Sequence, residues 1–489
     1  MKSAFNVNRS RIARLFLLVC SLMFYSLGRA EETPQLTDAT RPLTEGLPEV
    51  AVVRLRAFLA GRISHEDHQQ ATERLAEALV ASGKFAEALQ VLGGPDIRES
   101  PAKIFFQAQA CAGLSRWKEA LDLYQMCAAD AGSPFHVDAL FGQAESFRAL
   151  GKTNEALQTL ESLRTDERWR RRAEMRSVEL LIATGDTAGA TRLLNAIQPA
   201  SAAERNERRF LRGRNEMARG RNGRAIELFT SILKKPEGTT HSVLLATLFA
   251  VAEAHRQNGT PTSGDDFLED FIEHQPRDPE LPAIFAKLDQ LYAEEKKPAR
   301  HELGRWSRDP AEPRRALARW YLARAELRLG HRDQARQTFA LLRAAHPALP
   351  LLAEAFLDFA QLELQDGRFE EAVAILETAR KLRPETPVAE RIELLSGKTH
   401  YEAKRFREAA QIFQNVAGSS SSHAKEALFD ASLAWLQAGE ETRAAAANQE
   451  LSRSGSEQAR GELLLEQGLV TAGRSEEKAA EILHNFLGD

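Results

Sequence analysis

The sequence predicts an all-α solenoid, a chain of about twelve helix–turn–helix units stacked end to end. One small residue recurs every 32 to 39 residues, five positions after a turn residue that is usually glycine. A chain of 489 residues is also too long for one ordinary hydrophobic core, and a solenoid avoids this limit because each unit packs only on its neighbours. The recurring small residues are Ala88, Ala120, Ala156, Ala190, Ala225, Gly264, Ala299, Ala335, Ala372, Ala409, Ala444 and Ala479.

Two further positions recur in the same register. A second small residue appears twelve residues earlier, on the preceding helix, and we expect the two to face each other because antiparallel helices approach closely only where side chains are small. A large apolar residue follows four residues after the first small one, on the same helical face. The second small residues are Ala108, Ala144, Gly213, Ala252, Ala323, Ala360, Gly397 and Ser432. The large apolar residues are Leu92, Tyr124, Leu160, Leu194, Phe229, Leu268, Leu303, Phe339, Leu376 and Phe413.

This pattern closely resembles the tetratricopeptide repeat, a helix–turn–helix unit of about 34 residues. The resemblance covers nearly all of the chain after residue 45, and the segments from Gly330 to Pro347 and from Gly367 to Pro384 match well. It implies a right-handed α-α superhelix whose first helices line a concave groove. It also implies a non-enzymatic protein-interaction scaffold of the exported bacterial type.

Charge and the first thirty residues indicate the compartment. The formal charge is −4, so the chain has no general reason to bind nucleic acid. Residues 1–30 carry arginines before an apolar run at 15–27 and a small-x-small site ending at Ala30, which is typical of a secretory signal peptide. We therefore expect cleavage after Ala30 and a location in the periplasm or cell envelope. Two alternatives are a retained, membrane-proximal anchor and lipidation at Cys20.

Composition divides the remainder into three parts. Residues 31–45 are rich in proline and threonine and predict a flexible linker. Residues 46–310 and 311–489 are expected to form an N-terminal and a C-terminal repeat array. The boundary between them is placed after the weakest repeat, where Pro310 and Pro313 interrupt the pattern.

No pattern for metal or cofactor chemistry stands out. The histidines at His65 and His68 lack the zinc-protease spacing and predict an exposed helix start. In the repeat pattern Cys111 and Cys127 are offset by roughly 15 Å along antiparallel helices, which predicts two buried thiols rather than a disulfide. We predict no cofactor, no metal and no catalytic site, with a hydrolase hidden between repeats as the alternative.

A ladder of large apolar residues supplies the first candidate binding surface. It lies three positions before the second small residue on each first helix, so by resemblance it faces the groove. The alternative is that these residues pack one repeat against the next as core. The ladder comprises Phe105, Phe141, Met175, Phe210, Phe249, Trp320, Leu357, Leu394 and Phe429. The predicted partner-binding residues among them are Phe105, Phe141, Phe210 and Phe249.

A run of arginines over residues 205–224 supplies the second candidate surface. Guanidinium groups bind carboxylates and phosphates in bidentate fashion, so the run predicts either a partner-protein contact or a receptor for an anionic glycan or lipid. The alternative is a solvated helix face in which Arg212 pairs with Glu216, with acids of the next repeat (Asp265, Asp266, Glu269, Asp270 and Glu273) neutralising the run. The predicted binding arginines are Arg208, Arg209, Arg214 and Arg221.

The final helix predicts a third contact surface. It still carries Ile482, Leu483, Phe486 and Leu487, whereas a terminal cap should be polar outside. We expect this end to pack on a partner or on a second copy of the chain, unless the chain continues beyond it. A further alternative for the whole protein is an accessory subunit of an envelope enzyme or export complex.

Overall fold

A computed structural model describes residues 33–295, 300–345, 350–419, 423–453, 457–472 and 475–488. Within these ranges the regular structure is α-helical, with short 3₁₀ segments at Leu163–Thr165 and Pro350–Leu352 and no strand, which confirms the predicted all-α fold. The predicted signal peptide lies outside the described residues. The helices are α1 (Pro34–Thr44), α2 (Pro48–Leu59), α3 (His65–Ala81), α4 (Phe85–Leu92), α5 (Pro101–Gly113), α6 (Trp117–Ala129), α7 (His136–Ala149), α8 (Thr153–Ser162), α9 (Arg170–Ala183), α10 (Thr187–Ala196), α11 (Ala202–Ala218), α12 (Asn222–Leu233), α13 (His241–Gln257), α14 (Pro261–His274), α15 (Leu281–Glu294), α16 (Arg300–Trp306), α17 (Arg314–Arg328), α18 (Arg332–Ala345), α19 (Ala353–Gln365), α20 (Phe369–Lys381), α21 (Thr386–Glu402), α22 (Phe406–Ala417), α23 (Ala424–Gln437), α24 (Glu441–Arg453), α25 (Glu457–Ala472) and α26 (Glu476–Gly488).

The predicted crossing of small residues is confirmed. A methyl group added at Gly264 would lie 3.2 Å from the backbone oxygen of Ala252, so the two positions face each other. Ser432 donates its hydroxyl to the backbone oxygen of Ala444 at 3.3 Å, across the same crossing in a later repeat. Of the twelve small positions, Ala299 lies outside the described residues and the other eleven are buried. At these described crossings the facing residues are small enough to let the two backbones approach.

The turn between paired helices has a left-handed residue at a fixed place. Glycine occupies it in most repeats, for example Gly367 at φ 71°. Ser115 and Lys404 occupy the same place with φ values of 61° and 60°. A side chain in this conformation costs roughly 1–2 kcal/mol, so the turn geometry persists even where the sequence lacks glycine.

The N-terminal segment corrects one expectation. Residues 34–44 were predicted to be a flexible linker, but they form α1, with Leu36 fully buried and Ala39 and Pro42 also buried. Leu36 and Ala39 pack into a core shared with α2 and α3, which includes Val52 and Leu75. The apolar positions three and four residues apart outweigh the helix-disfavouring threonines and proline, because burial stabilises a short helix more than intrinsic propensity does.

The chain divides into two compact units, one ending at Thr247 and the other beginning at Leu248. The predicted boundary was at residue 310, and the contacts there explain the difference. Arg314, which is 5% exposed, donates to the backbone oxygens of Ile272 at 3.0 Å and Glu273 at 2.9 Å. The indole of Trp306, also buried, donates to the Glu273 carboxylate at 2.6 Å. The weak repeat before Pro310 and the helix after it are therefore both held by buried contacts to α14.

Two smaller predictions are confirmed. Cys111 and Cys127 are free, buried thiols, and burial raises the pKa of both. His65 begins α3 and is exposed, with Ser64 capping the helix by accepting from the backbone N–H of Asp67.

Candidate functional site

Of the four ladder residues that are predicted to bind a partner, three are buried in the core and one is half-buried. Phe105, Phe141 and Phe210 are 2%, 6% and 8% exposed. The ring of Phe105 stacks on that of Phe135 at 4.8 Å, and Phe141 stacks on Trp169 at 4.6 Å. Phe210 meets Phe229 at a tilt, with ring centres 5.9 Å apart. These three residues are therefore core residues, as the alternative interpretation of the ladder predicts, and they do not line an open groove. Phe249 is half-buried.

The four predicted arginines have separate local partners. Arg208 donates to the backbone oxygen of Ile197 at 2.6 Å, and burial followed by the nearby Arg212 and Arg209 guanidinium groups lowers its pKa. Arg209 donates to the Asn206 side chain at 3.0 Å. Such contacts, one to the end of the preceding repeat and one within α11, are typical of structural residues.

The other two arginines are more exposed. The guanidinium of Arg214 lies 6.0 Å from the Phe210 ring centre, a cation–π distance. Arg221 lies 3.6 Å from Glu216, which also pairs with Arg219. The expected pair of Arg212 with Glu216 is not formed, because Arg212 instead donates to Asn195 at 2.9 Å.

The acids expected to neutralise the arginines have partners within the second unit. Glu269 accepts from the Tyr292 hydroxyl at 2.5 Å, and burial raises its pKa to about 7. Burial and the neighbouring Glu295 carboxylate likewise raise the pKa of Asp265. Glu273 accepts from Trp306 and Arg305. These acids therefore belong to the packing of their own repeats.

A groove in the second unit is the strongest candidate site. It has a volume of about 680 Å³ and runs across three first helices, α15, α17 and α19. Its lining is mostly polar, with alanines and leucines between the charges, and it includes Arg332 at the start of α18. The lining residues are Ala286, Asp289, Gln290, Ala293, Arg324, Leu327, Arg328, Arg332, Asp358, Gln361, Leu362 and Gln365. A surface assembled from three successive repeats presents side chains at regular intervals to a bound chain.

Charge pairs join the helices that line this groove. The Asp289 side chain is 8% exposed and accepts from Arg328 Nη2 at 2.7 Å, with Arg324 Nε at 3.3 Å. Arg324 Nη1 reaches Asp358 Oδ2 at 3.6 Å, and the Trp320 indole donates to the same oxygen at 2.9 Å. Arg324 thus links three repeats.

The same kind of link occurs one repeat earlier. Lys287 Nζ of α15 lies 2.6 Å from Glu253 Oε2 of α13. Burial would raise the pKa of Glu253, but hydrogen bonds from Arg256 and Lys287 outweigh it and lower the pKa to about 2.

The groove continues into a smaller cavity of about 310 Å³ towards α21 and α23. The two cavities share Asp358 and Gln361. The smaller one is also lined by Leu357, Arg391, Leu394, Leu395, Lys398, Glu426 and Asp430. Leu357 and Leu394 belong to the predicted ladder, so at these two positions the ladder does line a groove.

Sequence reasoning missed the polar lining of the groove. The signal was present, because Arg324 and Arg328 lie four residues apart on α17, as do Gln361 and Gln365 on α19. Such spacing places side chains on one helical face. Residues 205–224 are conspicuous for the density of their arginines, whereas the groove is marked by the spacing of polar residues along first helices.

Neither metal ligation nor membrane crossing has support among the residues described. Over these ranges, no group of three or more His, Cys, Asp or Glu side chains is arranged to hold a metal ion. None of the helices in the same ranges combines the length and the apolar character needed to span a membrane.

Paired antiparallel helices with small crossing residues define a helical-repeat protein, and family comparisons identify the type of repeat. Two profiles, each described as tetratricopeptide repeat, match the sequence, one over residues 357–414 and 394–459 and the other over residues 138–166 and 317–348. The chain therefore contains tetratricopeptide repeats, which generally serve as non-catalytic scaffolds for protein interaction. A comparison with curated proteins finds no match.

Several solved structures are distantly similar. The apo form of the quorum sensor NprR from B. thuringiensis is 13% identical, with a TM-score of 0.41, over 71% of this chain and 97% of that one. The Cut9-Hcn1 hetero-tetramer of the APC/C is 15% identical, with a TM-score of 0.35, over 98% and 89%. The Naa15/Naa10 structure bound to HypK-THB is 12% identical, with a TM-score of 0.33, over 92% and 80%. Likenesses this distant carry no argument about function.

Proposed function

We propose that this chain is a non-enzymatic scaffold of the cell envelope that binds a segment of a partner protein in the groove of its second unit. One observation carries the proposal: the first helices α15, α17, α19, α21 and α23 line two adjacent cavities of about 680 and 310 Å³, which share Asp358 and Gln361. An elongated groove of this kind suits an extended or helical segment rather than a compact small molecule.

The lining supplies both affinity and orientation. Leu394 and Leu395 are half-buried, so a bound apolar side chain removes water from them and gains roughly 1.5–3 kcal/mol when fully covered. Arg324 and Arg328 share the carboxylate of Asp289, which leaves guanidinium N–H donors for carbonyl or carboxylate groups of the partner.

Affinity capture tests the groove. The chain from Glu31 onward is used to capture proteins from envelope extract, in parallel with a Leu394→Ser/Leu395→Ser variant. Leu341→Ser is the matched control, because Leu341 is 59% exposed on a second helix outside the groove. We expect one set of proteins to be retained by the unaltered chain and the control and lost by the double variant. Identical capture by all three chains contradicts the proposal.

The envelope location is supported by the basic, apolar and small-residue order of residues 1–30. We expect the mature protein to begin at Glu31 and to fractionate outside the cytoplasm. N-terminal sequencing of the fractionated protein measures this, and an intact Met1 on a cytoplasmic protein contradicts it.

A further inference from the structure

The smaller cavity differs in chemistry from the larger one. Three acidic residues line it, Asp358, Glu426 and Asp430, against two basic residues, Arg391 and Lys398. In the larger cavity three arginines line the wall against two aspartates. The groove therefore changes from an excess of cations to an excess of carboxylates along its length.

Contacts with residues outside the cavity lining pair one charge of each sign and so leave an excess of carboxylates. Asp358 is paired with Arg324 at 3.6 Å. Arg391 is 53% exposed and lies 3.9 Å from Glu354, a carboxylate outside the cavity lining. Lys398 is exposed, and Glu426 is 65% exposed with His423 Nδ1 at 3.2 Å. The cavity can therefore accept a cationic group, because the chain itself only partly neutralises the carboxylates that line it.

The floor of the cavity is aliphatic. Leu357 is 4% exposed, and Leu394 and Leu395 are half-buried beside it. Lysine and arginine side chains lay their methylene stems on apolar surface while their charged heads stay with polar groups. A leucine floor under a carboxylate rim matches that division, and a volume of about 310 Å³ admits one such side chain.

We infer that the smaller cavity of the second unit is an anchor pocket for one lysine or arginine of the bound partner segment, with its stem on Leu357, Leu394 and Leu395 and its head between Glu426 and Asp430. This inference rests on the proposed function, because it names the chemistry of the segment. Burial and the nearby Glu426 raise the pKa of Asp430 to about 6, and Lys398 opposes them, so Asp430 carries its charge at neutral pH.

Peptide binding tests the pocket directly. The probes are four fluorescein-labelled nonapeptides of alternating alanine and leucine that carry lysine, arginine, norleucine or glutamate at the central position. Anisotropy titrations use the chain from Glu31 onward. We expect the lysine and arginine peptides to bind at least tenfold more tightly than the norleucine and glutamate peptides.

Variants of the chain test whether the preference for a basic central residue depends on the carboxylates of the pocket. Asp430→Asn/Glu426→Gln should reduce the tenfold preference for a basic centre to less than twofold. Glu377→Gln is the matched control, because Glu377 is exposed on a second helix, and it should keep the preference. Circular dichroism melting of the double variant, expected to be unchanged, separates loss of the pocket from loss of the fold.

Two results overturn the inference: no preference for a basic centre, which includes no measurable binding of any peptide, and a preference that survives the double variant. The proposed function is then decided separately by the capture experiment with Leu394→Ser/Leu395→Ser, which alters no charge.

Discussion

At the scale of single residues, one position on each first helix has two different roles. Phe141 stacks on Trp169 with ring centres 4.6 Å apart, whereas Leu394, at the equivalent place in a later repeat, is half-buried beside a cavity. The position lies at the margin between the interface of neighbouring repeats and the groove. Its role therefore depends on how large the neighbouring side chains are.

This difference predicts that serine substitutions at the two kinds of position lower the free energy of unfolding by unequal amounts. Phe141→Ser should lower the free energy of unfolding by about 3–5 kcal/mol, because a buried ring is replaced by a cavity and a hydroxyl. Phe249→Ser, at the half-buried equivalent, should cost less than half as much. Chemical denaturation of the two variants measures this, and equal losses contradict the assignment of Phe141 to the core.

A second residue-scale prediction concerns pH. The pKa of Glu269 is raised to about 7 in the folded chain, mainly by burial, from an ordinary value of 4.5. The folded state therefore holds this proton more tightly than the unfolded state does. The stability it contributes is complete below about pH 4.5 and is lost as the pH rises through 7. Glu269→Gln should flatten the fall in unfolding free energy across this window, by at most about 3 kcal/mol.

Denaturant titrations at pH 5 and pH 8 measure the change. Glu377→Gln serves as the control, since Glu377 is exposed and should leave the pH dependence unaltered. A Glu269→Gln variant with the same pH dependence as the unaltered chain contradicts the raised pKa.

At the scale of helices, the crossing of two helix pairs depends on a glycine and the phenylalanine ring that faces it. A methyl group at Gly213 would lie 2.3 Å from the ring of Phe229, and one at Gly397 would lie 2.5 Å from the ring of Phe413. Real contacts are essentially never this short, so glycine and phenylalanine are matched within each pair.

A double-mutant cycle tests this match. Gly213→Ala should destabilise by about 1–2 kcal/mol, because overpacking exceeds the gain in helix propensity. With Phe229→Leu in the same chain the added cost should largely disappear, which gives a coupling energy of about 1 kcal/mol or more. Gly223→Ala is the control, since nothing lies within 4 Å of that site, and it should stabilise by up to about 1 kcal/mol. Additive losses contradict the match.

Spacing along the sequence was enough to predict the helix pairs, because small residues at the crossing leave a period that a single chain displays. Three features needed the folded chain. The burial of Leu36 in α1 depends on partners in α2 and α3, which local composition does not reveal. The link from Arg324 to Asp289 and Asp358 joins residues about one repeat apart. The role of the ladder at Phe141 or Leu394 depends on neighbouring repeats.

At the scale of the whole molecule, the division at Thr247 predicts where the chain can be shortened. A fragment of residues 241–489 keeps the backbone oxygens of Ile272 and Glu273 that hold Arg314. A fragment of residues 311–489 loses them and leaves a buried guanidinium without those acceptors. Circular dichroism melting should give the first fragment a higher Tm by several degrees. A shorter fragment that melts at the same temperature contradicts the boundary.

Charged links between first helices also join four successive repeats of the second unit. Arg324 ties α17 to α15 and α19, and Lys287 ties α15 to α13. Dissolved salt shortens the range of such attractions to about 8–10 Å near physiological ionic strength. The links are only 2.6–3.6 Å long and Asp289 is 8% exposed, so salt screens them less than it screens exposed pairs. Rising salt should therefore weaken the exposed ion pairs of the surface before it weakens the links between repeats.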